Sequence, residues 1–430
     1  MSALSRSGLL KASAITAAAA LVLTGCAATE EEDTSTDTGS DTSTDSDSTD
    51  AGDETLQLKL GTALPITGNL AFLGPPEEAG VYLAEDEINS ANAGIEVEVV
   101  FGDSGDTDNK AYETEIPRLL NEGVKAIIGA ASSGVSLQFI DQVTGAGVIH
   151  FSPANTSAAF TTYDDDGLYF RTAPSDVLQG EVLANQIAAD GHEKIAMIVL
   201  NDPYGTGLRD RVTEVFEAAG GEVLAAPTYN TGDTNFTSQI NEVLAVDPDA
   251  IVLITFDEIK TIAPDLAAQF DSSNFYLVDG NLSNYSEDFE AGLLEGAKGT
   301  LPGVDPRDVE DFNERMNNFW ISLGNDDLNN VYAYGAESYD ATILLALASL
   351  AAGSTDSRAI ADKLQEVSGG SGNGEKCTSF AECADIINGG GVADYDGVSS
   401  PITFDEVGDP TEGSVIVYQY GADNNYAPIG

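Results

Sequence analysis

From residue 56 onward, short apolar runs rich in branched side chains alternate with longer stretches of helical periodicity. Residues 56–63 read as a strand, 76–89 as a helix and 95–101 as a strand. A helix near 110–121 follows, with Pro117 expected to remove one ladder bond and kink it. A buried strand at 126–129, a helix at 135–144 and a strand at 148–152 complete the series. The alternation restarts after Tyr169-Phe170-Arg171-Thr172: helix 176–189, strand 194–200, helix 205–219, strand 222–226, helix 235–246, strand 250–255, helix 260–270, strand 275–278. Beyond residue 299 come a helix with a strongly apolar face (333–350), a second helix (357–367), and strands at 401–404 and 414–420. Helices between successive strands supply the crossovers that parallel pairing needs. The expected class is α/β, with two doubly wound parallel-sheet lobes.

The N-terminal residues follow another pattern. Arg6 and Lys11 precede an apolar stretch of roughly a dozen residues, well short of the ~20 that span a bilayer, so residues 1–25 read as an export signal. Leu23-Thr24-Gly25-Cys26 resembles the bacterial lipobox, in which the Cys is acylated and becomes the new N-terminus. Residues 27–54 contain only Ala, Gly, Ser, Thr, Asp and Glu, with 11 acidic residues from Glu30 to Glu54 and no basic one. Such a segment self-repels and cannot bury enough apolar surface to fold. With Cys26 lipidated, residues 26–54 form a tether, and the protein is expected to be exported and anchored to the outer face of the cell membrane by lipid alone.

Charge and composition exclude several functions. The 430 residues carry 72 Asp+Glu against 17 Lys+Arg, net −55. Residues 55–430 retain a net of −46, an excess suited to a saline habitat. Nucleic-acid binding requires a basic footprint, which is lacking. Two His and three Cys leave little for a zinc site or a histidine-dependent triad. Neither His150, at a strand end, nor His192, before one, has metal-ligand spacing. No Walker loop, nucleophile elbow or Gly-x-Gly-x-x-Gly is present. Asp164-Asp165-Asp166 and Asp394-x-Asp396 fit solvated turns better than calcium loops. Cys377 and Cys383, in a Gly/Ser-rich loop, read as a disulfide, with a metal pair as the rival. No enzyme chemistry, cofactor or metal is expected.

Several segments together resemble a known family. They are Leu64-Pro65-Ile66-Thr67-Gly68 with Gly80, Ile128-Gly129-Ala130-Ala131-Ser132-Ser133, and Ser152-Pro153-Ala154-Asn155-Thr156. Phe170-Arg171-Thr172, Asn201-Asp202-Pro203-Tyr204-Gly205, Tyr395-Asp396-Gly397 and Pro401-Ile402-Thr403-Phe404-Asp405 follow in order. In sequence and spacing the chain resembles the branched-chain amino-acid-binding proteins of ABC transporters, the type I periplasmic binding fold. The resemblance implies two lobes joined by a three-segment hinge near 173, 301 and 400. Lobe 1 would be 55–173 plus 302–400, and lobe 2 would be 174–301 plus 401–430. It also implies a monomer that captures an amino acid and passes it to an ABC permease. An amide, urea or aromatic-acid receptor, or a sensor without transport, stays open.

By the same resemblance, Ser132 or Ser133, Ala154 and Thr156 surround the ligand's carboxylate and ammonium. Asp279 pairs with the ammonium, where the family member compared carries Glu. Tyr204 covers the ligand, and Phe72 and Phe256 wall its side chain. Independently, Ser132–Ser133 and 154–156 stand at carboxyl ends of strands, where open α/β sheets bind ligands and helix N-termini offer free N–H groups. Ordinary N-capping would use the same residue types.

Overall fold

The computed structural model describes residues 55–429, so the export signal, Cys26 and the acidic tether lie outside the described residues. The first lobe begins with β1 (Leu56–Ala63), α1 (Gly74–Ala91), β2 (Ile95–Val100), α2 (Tyr112–Asn121), β3 (Ala126–Gly129), α3 (Ser133–Gly145), β4 (Ile149–Ser152) and β5 (Tyr169–Arg171). These strands form one parallel sheet in the order β2-β1-β3-β4-β5. The second lobe adds α4 (Asp176–Ala189), β6 (Lys194–Leu200), α5 (Pro203–Ala218), β7 (Glu222–Ala225), β8 (Thr228–Tyr229), α6 (Thr237–Ala245), β9 (Ala250–Ile254), α7 (Ile259–Ala267), β10 (Phe275–Leu277) and β11 (Lys298–Pro302).

The chain then returns to the first lobe with α8 (Glu310–Ser322), α9 (Gly335–Ala352), α10 (Ser357–Val367), β12 (Glu375–Cys377), α11 (Phe380–Asn388) and β13 (Ala393–Tyr395). It ends in the second with β14 (Val415–Tyr420) and β15 (Tyr426–Pro428). The second sheet runs β15-β14-β11-β10-β9-β6-β7, with β8 also on β6. Its inner strands are parallel, but β14 and β15 pair antiparallel, so this sheet is mixed. Tight hairpins need no crossover helix, which is why an antiparallel edge can close a parallel sheet.

Segment 401–404 departs from expectation. It forms no strand, only an isolated bridge between Phe404 and Pro410. Phe404 packs edge-on against Phe151 and Phe170, 5.8 and 5.5 Å between ring centroids, and Ile402 joins the same core. Both residues therefore sit in the first lobe, and the last crossing falls between Phe404 and Val415. Helix α9 differs as well. It is buried on all sides from Gly335 to Ser349, as a helix in the middle of a layer must be. It touches α1 through Gly80, where a Cβ would lie 2.1 Å from the Gly335 carbonyl oxygen. Cys377 and Cys383 are disulfide-bonded, with Cys383 on α11 and not in a loop. Lys376 lies 3.2 Å from Asp394 and 2.7 Å from Asp396, so that acidic pair is salt-bridged.

The conspicuous polar feature of the core is Arg171, whose side chain is fully buried at the end of β5. Its Nε and Nη2 donate to the two Asp409 oxygens at 2.6 and 2.7 Å. Nη1 donates to the carbonyls of Asn155 and Ser157 at 3.2 and 2.8 Å, and Nη2 also to Thr161 Oγ1 at 3.1 Å. This fork ties the last crossing to the loop after β4. Asp409→Ala would leave the guanidinium buried without its partner, so it should cost about 3–5 kcal/mol in urea unfolding, whereas an exposed ion pair contributes under ~1 kcal/mol. A loss below ~1 kcal/mol would show that the pair is not structurally important.

Candidate functional site

Two strand ends of the first lobe build one wall of a cleft. After β3 the chain turns into α3, where Ser132 is the N-cap and its Oγ accepts from the Val135 amide at 3.3 Å. After β4, Ser152 Oγ donates to the Ala130 carbonyl at 2.7 Å and accepts from the Ala154 and Asn155 amides. Asn155 Nδ2 donates to the carbonyls of Ala130 and Ala131, so the two loops are locked together. Ser133 Oγ accepts from the Ser157 amide at 3.4 Å. The side chains of Ser132, Ser133 and Thr156 are all buried, and their hydroxyls line the cleft, that of Thr156 beside Asp176.

The second lobe supplies the opposite wall. Asp202 caps α5, with Pro203 in the first turn and the Gly205 amide donating to Asp202 Oδ1 at 2.7 Å. This cap sets Tyr204 in the first turn of α5, facing Asp279. Tyr204 donates to Asp279 Oδ1 at 2.7 Å, Gln179 Nε2 donates to the same oxygen at 2.9 Å, and Tyr334 donates to Oδ2 at 2.7 Å. Phe256 stacks on Tyr204, 5.5 Å between centroids, above Gly280, where a Cβ would lie 2.6 Å from the Phe256 ring.

Seven of the eight residues expected at the ligand line one small cavity: Ser132, Ser133, Ala154, Thr156, Tyr204, Phe256 and Asp279. Phe72 does not; it is half-buried against the second lobe's core. The tight turn before α1, closed by the Leu73 amide on the Leu70 carbonyl at 2.9 Å, sends Leu70 and Leu73 into the cavity instead. Tyr334 also lines the cavity and is missing from the sequence expectation. It holds a left-handed conformation, φ 60°, just before α9, and the adjacent Gly335 is the only local hint of that turn.

Asp176 stands behind this cavity. It is 1% exposed, and neither carboxylate oxygen has a hydrogen-bond partner among the described residues. Burial pushes its carboxyl well above the usual range, and the nearby Asp279 raises it further. The Thr156 hydroxyl lowers it by proximity, though without good hydrogen-bond geometry. Asp279 is likewise raised by burial and lowered by the hydroxyls of Tyr204 and Tyr334. The sequence signal at Asp176 is ambiguous, because an acid in the first turn of a helix is commonplace. His150, by contrast, is a core ring between Phe139 and Tyr169, its pKa pushed down to about 3 by burial.

The lobes are closed on each other. The Asp257 amide donates to the Asn69 carbonyl at 3.2 Å, Asn69 Nδ2 to Glu258 at 2.9 Å, and Ser157 Oγ to the Pro203 carbonyl at 3.0 Å. The free volume between them is about 10 Å³, close to that of one water. A larger guest enters only by hinge opening.

The sequence profile described as "Periplasmic binding protein" matches residues 57–382. The chain belongs to that family. The Leu/Ile/Val-binding protein homolog 1 of Brucella suis biovar 1 (strain 1330) is 27% identical over 376 residues, 85% of this chain and 92% of its own length. Among solved structures, the leucine-binding protein LivK of Thermotoga maritima MSB8 has a TM-score of 0.70 at 23% identity, over 87% of this chain and 98% of its own. LivJ of Streptococcus pneumoniae, solved with isoleucine, has a TM-score of 0.69 at 21% identity, over 87% and 99%. These two structures share the periplasmic binding protein fold with this chain.

The buried acids of this family member make its stability depend on pH. Glu77, Asp176, Asp279 and Glu337 are all raised, burial being the first cause in each, and Glu337 reaches about 8. A carboxyl raised on folding binds its proton more tightly in the folded state. Its contribution is complete below the unfolded value and is lost as pH rises through the folded one. The melting temperature of the ligand-free chain in 1 M NaCl, which screens surface charge, should therefore fall by a few degrees between pH 5.5 and 8.5, with a shallower fall in Glu337→Gln. A melting temperature that rises over this window would contradict the burial of these acids.

Proposed function

We propose that the protein is the solute-binding component of an ABC importer and captures an amino acid of the branched-chain type between its lobes. The carrying observation is the polarity of the cleft. Hydroxyls of Ser132, Ser133 and Thr156 and the N-terminus of α3 lie on one wall, Asp279 lies on the other, and the buried Asp176 stands behind them. Donors at a helix N-terminus suit a carboxylate, and two adjacent buried carboxyls are relieved by a cation. An α-amino acid carries both groups on one carbon, while Leu70, Leu73 and Phe256 leave an apolar place for its side chain. The Brucella relative, a Leu/Ile/Val-binding protein homolog, supports this reading, as do the leucine-binding and isoleucine-bound proteins of the same fold. The working cycle is capture, hinge closure and release to the permease, with no bond made or broken.

Calorimetric titration with leucine, isoleucine, valine and their amides tests the ligand. Asp279→Ala should weaken binding by about 3 kcal/mol, more than a hundredfold, and Thr156→Ala by about 1–2 kcal/mol. If the amides bind as well as the acids, the carboxylate role of Ser132, Ser133 and Thr156 is wrong. If Asp279→Ala keeps full affinity for an amino acid, the ammonium lies elsewhere.

Attachment of the protein to the cell belongs to the same proposal. The lipobox-like Leu23-Thr24-Gly25-Cys26 and the acidic run after it support export and a lipid anchor at Cys26. Cys26→Ser should move the protein from the membrane fraction to the soluble one. Unchanged fractionation would defeat the anchor.

A further inference from the structure

A second and larger cavity opens beside the hinge, on the far side of Tyr334 from the cleft. Its free volume is about 700 Å³, within the roughly 300–1,000 Å³ of small-molecule sites. The second crossing, the start of α9, α8 and β14 contribute its lining. At its floor is Glu337, 4% exposed, in the first turn of α9. Its carboxylate lies over Gly303, where a Cβ would be 2.7 Å from Oε1. No side chain among the described residues donates a hydrogen bond to it. The Asn313 amide, 6% exposed and also facing the cavity, has no hydrogen-bond partner among the described residues either. Apart from the Glu337 backbone amide on its own carboxylate, the polar atoms of these two side chains are left to the cavity, where a guest can pair them.

The chemistry of that guest follows from the walls. Glu310 and Glu314 stand at the rim, exposed, and give the mouth of the cavity negative charge. Arg307, the cation in the lining, is already bound through its guanidinium to both oxygens of Asp305. Tyr418 and Tyr426 form an aromatic corner, 5.1 Å between centroids at 72°, and Tyr332 adds a third ring. Aromatic faces and a desolvated carboxylate together select a cation with some apolar surface.

We propose that this hinge cavity is a second binding site, for a small organic cation of the alkylammonium class, with Glu337 as its counter-ion. Asn313 offers its amide oxygen to a second N–H. Burial holds the Glu337 carboxyl up at about 8, so at neutral pH an arriving cation displaces its proton to solvent. The site is independent of whatever occupies the cleft between the lobes.

Calorimetric titration of the full chain with n-butylammonium chloride in 0.2 M NaCl is the test, with sodium butyrate as the anion of matching size. Saturable one-to-one binding of butylammonium, and none of butyrate, is expected. Glu337→Gln should weaken it at least about tenfold, the usual consequence of losing one partner of a desolvated charge pair, and Glu314→Gln by less. Asp279→Ala should leave it unchanged, which separates this site from the ammonium position in the cleft. Absence of saturable binding to the wild type, or equal affinity in Glu337→Gln, overturns the proposal; so does loss of binding in Asp279→Ala alone. A melting curve reports whether Glu337→Gln is folded. If it is not, Asn313→Leu takes its place, and undiminished binding there also overturns the site.

Discussion

A buried guanidinium is acceptable only when each of its N–H groups finds an acceptor, and Arg171 meets that condition by drawing three separate pieces of chain to one point. One piece is β5 itself. Another is the loop from Asn155 to Thr161, which includes Thr156 at the cleft wall. The last is the Asp405–Asp409 turn, just before the chain leaves the first lobe for good. The cleft residues therefore hold their places because a hinge strand and a carboxylate far along the sequence do. Asp340 repeats the device deeper in the same lobe, accepting from the Tyr395 hydroxyl, the Val398 and Ser399 amides and the Ser399 hydroxyl. It fixes the approach to the same crossing from the other side.

The second constraint is electrostatic. The folded body carries far more carboxylates than cations, and most of them stay in water, where repulsion is screened. Several are buried instead, and four of these gather where the lobes meet: Asp176, Asp279 and Glu337, with Glu77 behind Glu337. Tyrosine hydroxyls relieve Asp279, whereas the other three have no tyrosine hydroxyl on them. Tyr334 is the partition between the two cavities, buried, lining both and with its hydroxyl turned to Asp279.

Much of this was legible in the residues, and for physical reasons. Helix 176–189 and helix 357–367 match their sequence limits because Ser175 and Asp356 cap them with side-chain oxygens. The strand ends at Ser132 and Thr156 were readable because small hydroxylated residues follow short, mostly apolar runs. What escaped lacks a local signature. Helix α8 has no side-chain cap and a mostly polar surface; only Phe312, Met316 and Trp320, four apart, mark its buried face. Tyr334 matters through a hydroxyl that meets a carboxylate from the other lobe, and Asp176 through the hydrogen bonds it fails to receive. Neither is a property of neighbouring residues. The Tyr395–Gly397 and Arg171 motifs, read as family marks, prove to be brackets that hold the cleft from outside: a Cβ at Gly397 would lie 2.5 Å from an Asp340 oxygen.

The interleaving of the lobes has a consequence for how the chain folds. The first sheet is complete by residue 171, yet one face of it, shared by α1, is closed only when α9 and α10 arrive, more than 150 residues later. The second sheet in turn waits for β14, near the C-terminus, to cover its β11 edge. Neither lobe can close its core on a growing chain, since each needs a segment from the other's far side. Contacts of such long sequence separation make folding slow and leave apolar surface open in the meantime. During that interval the dense negative charge of the chain would keep unfinished molecules apart.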